Sequence, residues 1–166
     1  KIIYNVLDLI INVLRSFPFI ILIVFIIPLT RAIVGTPIGE AAAIVPLTIA
    51  AAPFVARIIE SSLKEVDSGV IEAAKSFGAS NTQIIFKVML KEAVPSIISG
   101  LTLTIINIIG YSAMAGSVGA GGLGKVAISY GYQRYQTDVM IVTVIILIIM
   151  VQGLQSLGNY LYKKLS

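Results

Sequence analysis

The stretch of this chain most suggestive of chemistry is Gly119-Ala120-Gly121-Gly122-Leu123-Gly124-Lys125. It matches G-x-G-x-x-G and falls one residue short of the phosphate-cradling G-x-x-x-x-G-K-[ST]. Position 126 is Val, so the hydroxyl that would hold Mg2+ is missing, and an apolar run rather than a strand precedes the glycines. Glycines placed so fit close backbone packing at a membrane helix end better than nucleotide binding. The rest of the inventory narrows the chemistry further. The chain has no His, Cys or Trp, which removes thiolate nucleophiles, imidazole acid–base work and the usual ligands of zinc, haem and iron–sulfur clusters. Its eight carboxylates are scattered. No catalytic residue, metal or cofactor is expected, and the chain is not read as an enzyme.

The elements that would carry any function are membrane helices. Of the 166 residues, 57% are hydrophobic and 12% charged, and the mean hydropathy is +0.99. A soluble domain carries about 25% charged residues, so lipid must solvate much of this surface. Four segments approach the roughly 20 apolar residues of a span: 17–34, 41–59, 93–118 and 139–157. An amphipathic lead-in, 2–14, precedes the first. Pro46 and Pro53 lie seven residues apart on one face of the second span, so kinks there would add. Gly35 to Gly39 reads as a tight turn, 60–92 as a long polar loop of helical propensity, and 119–138 as a loop that is first Gly-rich and then Tyr-rich. The whole, 1–166, reads as a single all-α polytopic membrane bundle.

Counting basic residues near span ends orients it. With the long loop inside the cell, Lys1, Arg15, Arg57, Lys64, Lys75, Lys87, Lys91, Lys163 and Lys164 fall inside, and Arg31, Lys125 and Arg134 outside. The net charge of +4 is thus topological. No basic patch with interleaved aromatics points to nucleic acid. The opening Lys1, and Asp8 within the first apolar stretch, read as the start of a fragment rather than a signal peptide.

The long loop has local structure of its own. A short helix carries Glu72 near its N-terminal end, Gly78 supplies a residue able to take positive φ and stop it, and Ser80 with Gln83 forms a capping box that starts a second helix. Ile71, Ala74 and Phe77 would give the knuckle a small apolar face. Two readings are open from local physics: a connector lying on the membrane, and a docking element.

Glu72-Ala73-Ala74, three residues, Gly78, then nine residues to Val88-Met89-Leu90 resembles the signature loop of ABC-importer permeases. The family favours Ile-x-Leu-Pro at the end of this signature. Here Lys91 stands in the Pro position, and Pro95, four residues on, is expected to take over the helix break. Arg15-Ser16-Phe17-Pro18-Phe19, Ala43-Ile44-Val45-Pro46-Leu47-Thr48, Ala52-Pro53-Phe54-Val55-Ala56-Arg57, Gly110-Tyr111-Ser112-Ala113-Met114-Ala115-Gly116 and Val118 to Gly124 are similar to methionine-importer permeases in particular. The resemblance implies a permease of the bacterial inner membrane in the type I ABC-importer fold, with one further helix before this chain's start. It implies that Glu72, Ala73, Ala74 and Gly78 couple to two separate cytoplasmic ATPase subunits. It further implies a second copy of the chain, an extracytoplasmic substrate-binding protein, and an amino acid, methionine, as cargo. The alternatives are a permease for another small solute and, in a different class, a passive channel or scaffold.

On the third span, Ser96, Gly100, Thr104, Asn107, Tyr111 and Met114 fall within a sector of roughly 80°. Small and polar residues there serve either helix packing or the wall of a translocation pathway. Asn107, Tyr111, Ser112 and Met114 are the candidates for the pathway, with Met114 as gate. Its flexible thioether can plug a passage and move aside; the competing reading is packing.

Overall fold

The structure, a computed structural model, describes residues 2–165, and the side chains of all of these except 117 and 118. Lys1, one of the residues in the charge count, lies outside the described residues. Nine α-helical segments follow one another among them: α1 Ile2–Arg15, α2 Phe19–Phe25, α3 Ile27–Val34, α4 Glu40–Lys64, α5 Ser68–Ser76, the single turn α6 Asn81–Gln83, α7 Leu90–Ala115, the short α8 Gly122–Lys125 and α9 Thr137–Leu165. Three π-helical stretches join some of them: Ile84–Met89, Gly116–Ala120 and Val126–Tyr132.

Among the described residues, three helices are long and apolar enough to cross a membrane: α4 with 25 residues, the continuous helix 81–115 with 35, and α9 with 29. The first expected span, 17–34, is instead divided into helices of seven and eight residues. Together these give about 23 Å of helix, short of the roughly 30 Å hydrocarbon core. The division has two proline causes. Pro18 caps α2 in extended geometry, and α1 meets α2 at 103°. Pro28, in the first turn of α3, cannot donate to the carbonyl of Val24, and Ile26 is left at φ −94°, ψ 11°.

The span helices pack through small residues. A Cβ added at Gly100 would strike the side chain of Ile58, joining α4 to α7, and one at Gly158 would strike Thr102, joining α7 to α9. Buried hydroxyls are satisfied within their own helices: Thr102 donates to Ile98 O at 2.8 Å, Thr104 to Gly100 O at 3.0 Å and Thr143 to Val139 O at 2.7 Å. Pro46 and Pro53 are both buried inside an uninterrupted α4, where neighbouring helices shelter the freed carbonyls. Helix α7 likewise runs through Pro95, so the expected break there does not occur. The departure from α geometry lies upstream, in the π-helical Ile84–Met89.

The segment 119–138 is not an open loop. Gly119, Gly121 and Gly122 have φ of 104°, 85° and 71° and turn the chain. It then folds back as α8 and a π-helical stretch packed against α9, with Gly131 pressed on Met140. Gly124 sits directly on the backbone of Ala113. The glycines therefore serve chain reversal and, at Gly124, close approach, and among the described residues no strand precedes them. The core centres on Phe19, Leu22, Ile26, Ala50 and Ala115, where α2 packs across α4 and α7.

Candidate functional site

The knuckle between α4 and α7 is closed by hydrogen bonds at every end. Asp67 is the N-cap of α5, and its carboxylate accepts from Gly69 N–H at 2.6 Å. Glu72 is therefore not in the first turn, as the sequence led us to expect. It is the fifth residue of nine, beyond the turn where the helix dipole would favour it. At the other end, Ala79 N–H donates to Ala74 O at 3.1 Å and Gly78 N–H to Lys75 O at 2.9 Å. This is the full pair of a Schellman cap, with Gly78 at φ +78°. Two residues on, Ser80 Oγ accepts from Gln83 N–H at 3.3 Å and Gln83 Oε1 accepts from Ser80 N–H at 2.8 Å. The capping box read from the sequence is present. A helix stop and a helix start separated by one residue leave the knuckle little freedom to flex.

Its surface is divided. Ile71 and Ala74 are half-buried against the π-helical stretch, whose Ile84 is buried, whereas Glu72, Ala73 and Gly78 are exposed. Phe77 is 91% exposed and Phe86 63%. The apolar face expected from Ile71, Ala74 and Phe77 thus splits, two residues holding the knuckle together and one facing outward. An aromatic ring so exposed at the tip of a hydrogen-bonded turn suits insertion into a partner's surface. At the base of the knuckle, Ser96 Oγ donates to Glu65 at 3.0 Å, beside a cleft of about 680 Å3 between the ends of α4 and α7.

The second group of candidates is distributed along α7. Tyr111 stacks on Phe19 at 4.6 Å and 19° and so belongs to the chain's own core. Gly100 and Thr104 also face inward. Asn107 and Ser112 are exposed, Ser112 with its hydroxyl donating to Ile109 O at 2.8 Å. Met114 is 50% exposed beside Ala115, which is 1% exposed. The expected single face is therefore shared: Gly100, Thr104 and Tyr111 pack within the bundle, and Asn107 and Met114 remain on its surface, as does Ser112 beside that face.

A family model described as binding-protein-dependent transport system inner membrane component matches residues 1–166. The chain belongs to this family. As a member it is a multi-pass inner-membrane component of a transport system. A probable D-methionine transport system permease protein MetI of Vibrio cholerae is 56% identical over 158 residues, covering 95% of this chain and 70% of that protein. The methionine import system permease protein MetP of Bacillus subtilis is 46% identical over 159 residues, covering 96% and 72%. An inward-facing structure of the MetNI methionine ABC transporter superposes with a TM-score of 0.94 at 48% identity, covering 99% of this chain and 76% of that one. An amino acid ABC transporter at 23% identity, with a TM-score of 0.80, shares the fold.

Sequence reasoning missed one cluster entirely. Arg57 Nη2 meets Asp8 Oδ1 at 2.6 Å and Asn12 Oδ1 at 2.8 Å, and Arg57 Nη1 meets Glu60 Oε2 at 2.6 Å. Glu60 Oε1 accepts from Lys64 at 2.7 Å and from the Tyr4 hydroxyl at 2.5 Å. The sequence signal was present as a polar stripe, Tyr4, Asp8, Asn12 and Arg15, at helical spacing in α1, whose other residues are apolar apart from Asn5.

Proposed function

We propose that this chain is the permease subunit of an ATP-driven methionine importer. Two copies form the translocation pathway, two separate ATPase subunits receive the knuckles of residues 60–92 on the cytoplasmic side, and an extracytoplasmic binding protein delivers the amino acid. ATP is hydrolysed by the partner, not by this chain. Glu72, Ala73, Ala74 and Gly78 form the coupling element, with Glu72, Ala73 and Gly78 on its exposed surface and Phe77 as its apolar tip.

The observation that carries this reading is the knuckle: a rigid helix-turn-helix whose outward face is exposed and whose most prominent side chain is aromatic. The names of the similar relatives supply the cargo. The described residues offer three helices long enough to span, and a two-fold pair of such bundles can enclose a path between them. The outer face of α9, including Ile141, Val142, Ile145, Ile148 and Ile149, is exposed and apolar, as a lipid-facing surface must be. Movement of the docked knuckles as the ATPase pair closes and opens would rock the two bundles about the pathway.

Affinity purification of the full-length protein from its native membrane tests the proposal. A cytoplasmic ATPase is expected to co-purify with it, and cross-links through α7 are expected to trap a two-fold pair. A monomer active without any ATPase would overturn the reading in favour of a passive channel.

A further inference from the structure

We propose that Asp8, Arg57 and Glu60 are positioning residues for the ATP-coupled step. They lock α1 onto the knuckle end of α4, so that the two helices carry the knuckle's displacement into the bundle as one arm. The inference rests on the coupling reading above.

Helix α1 carries a polar stripe along its seam with α4. Asp8, Ile11 and Leu14 are half-buried, while Ile2, Ile3, Val6 and Leu9 point outward with exposures of 81, 76, 51 and 63%. Polar groups on that seam need partners in the protein wherever water is excluded. They find them in register: Tyr4 reaches Glu60 and Lys64, Asp8 and Asn12 reach Arg57, and the Arg15 guanidinium lies 5.1 Å from the centre of the Phe54 ring. Rising numbers on α1 meet falling numbers on α4, so the two helices run antiparallel. The clasp is charge-balanced, with Arg57 and Lys64 against Asp8 and Glu60. The Arg57, Glu60 and Asp8 side chains are 24, 23 and 35% exposed, so the pairs are partly shielded from solvent.

The location gives the clasp its role. Helix α4 ends at Lys64, and Asp67, three residues later, caps the knuckle helix α5. On its other side this end of α4 borders the 680 Å3 cleft, bridged by the Ser96–Glu65 bond, and packs on α7 where Ile58 meets Gly100. Its ion-paired attachment is α1. The far end of α1 turns through 103° into α2, whose Phe19 stacks on Tyr111 and whose core cluster includes Ala115, the neighbour of Met114. A displacement of the knuckle thus has a continuous packed route through α4, the clasp, α1 and α2 to the Met114 end of α7.

The experiment is a double-mutant cycle on Asp8→Asn and Arg57→Gln, in the complete transporter with its ATPase subunits reconstituted in lipid vesicles. The readout is ATP hydrolysed per labelled methionine imported. Each single change is expected to raise that ratio about two- to tenfold with the ATPase content of the complex unchanged, and the double mutant to be no worse than the more severe single. Effects that multiply, or a ratio that stays at the wild-type value while both activities fall together, would overturn the proposal. If Arg57→Gln does not assemble, Tyr4→Phe takes its place in the cycle, removing only the hydroxyl shared by Glu60 and Lys64. An unchanged ratio in both Asp8→Asn and Tyr4→Phe overturns the clasp. Failure of the coupling reading itself shows differently: knuckle variants such as Phe77→Ala would then retain ATPase binding and wild-type coupling, whatever the clasp variants do.

Discussion

Gly78 offers a graded test of the knuckle, because its surroundings isolate one physical cause. A Cβ built on Gly78 meets nothing within 4 Å, so a side chain there suffers no collision in the free chain. The whole cost of substitution is conformational. At φ +78° an L-residue pays about 1–2 kcal/mol for left-handed geometry, and a β-branched residue sits at the upper end or above it. A penalty of about 2 kcal/mol lowers the population of the docking-competent knuckle against any relaxed alternative roughly thirtyfold. Asn tolerates this region and Ala is intermediate. The expected order of transport-linked ATPase activity in reconstituted complexes is therefore wild type, Gly78→Asn, Gly78→Ala, Gly78→Val. Membrane insertion should be unchanged throughout, as judged by expression and protease accessibility. Full transport-linked activity in Gly78→Val would refute the reasoning. An Asn variant as impaired as Val would refute it differently, by showing that close approach of a partner rather than backbone conformation makes the position Gly.

Three further outcomes follow from the same geometry. Phe77→Ala removes a ring that is 91% exposed in the chain; if docking buries it, ATPase binding should weaken by about 1.5–3 kcal/mol, or roughly ten- to 150-fold in Kd by titration, with no loss of thermal stability in the isolated subunit. Met114→Ala in the full complex should alter flux or admit leak with assembly unchanged if Met114 is the gate, whereas packing filler would lower stability and leave flux per complex normal. Gly124→Ala sets a methyl group against the backbone of Ala113, so the overpacking should cost about 1–3 kcal/mol, visible as a lowered Tm of the detergent-solubilised protein.

The parts of the fold that could be read in the sequence are those set by local rules. Ser80 and Gln83 stand three apart at a helix start and make the reciprocal bonds that spacing implies, and Gly78 ends a helix because only glycine enters left-handed geometry freely. The three long helices follow from length and apolarity. The family was legible from motifs ordered along the chain, and the comparisons agree with it. What escaped was set by distant partners or by small departures from regular geometry. Asp8 and Arg57 are 49 residues apart, and nothing local says that the polar stripe of α1 faces inward. The π-helical stretches each admit an extra residue per turn, which a 3.6-residue periodicity does not register. Whether a membrane helix continues through a proline depends on its neighbours: α4 continues through Pro46 and Pro53, whereas ahead of Pro28 one residue, Ile26, leaves helical geometry. Asp67, the actual cap, sets the helix start at Ser68 and leaves Glu72 beyond its first turn.

Uptake of labelled methionine into vesicles that hold the complete transporter, with ATP supplied on the side of the ATPase subunits and the binding protein on the other, tests the central claim most directly. The account predicts ATP-dependent accumulation against a gradient, competed by unlabelled methionine and not by unrelated amino acids, and abolished when the ATPase is left out. Uptake that persists without ATP, or that another amino acid competes away while methionine does not, would contradict it.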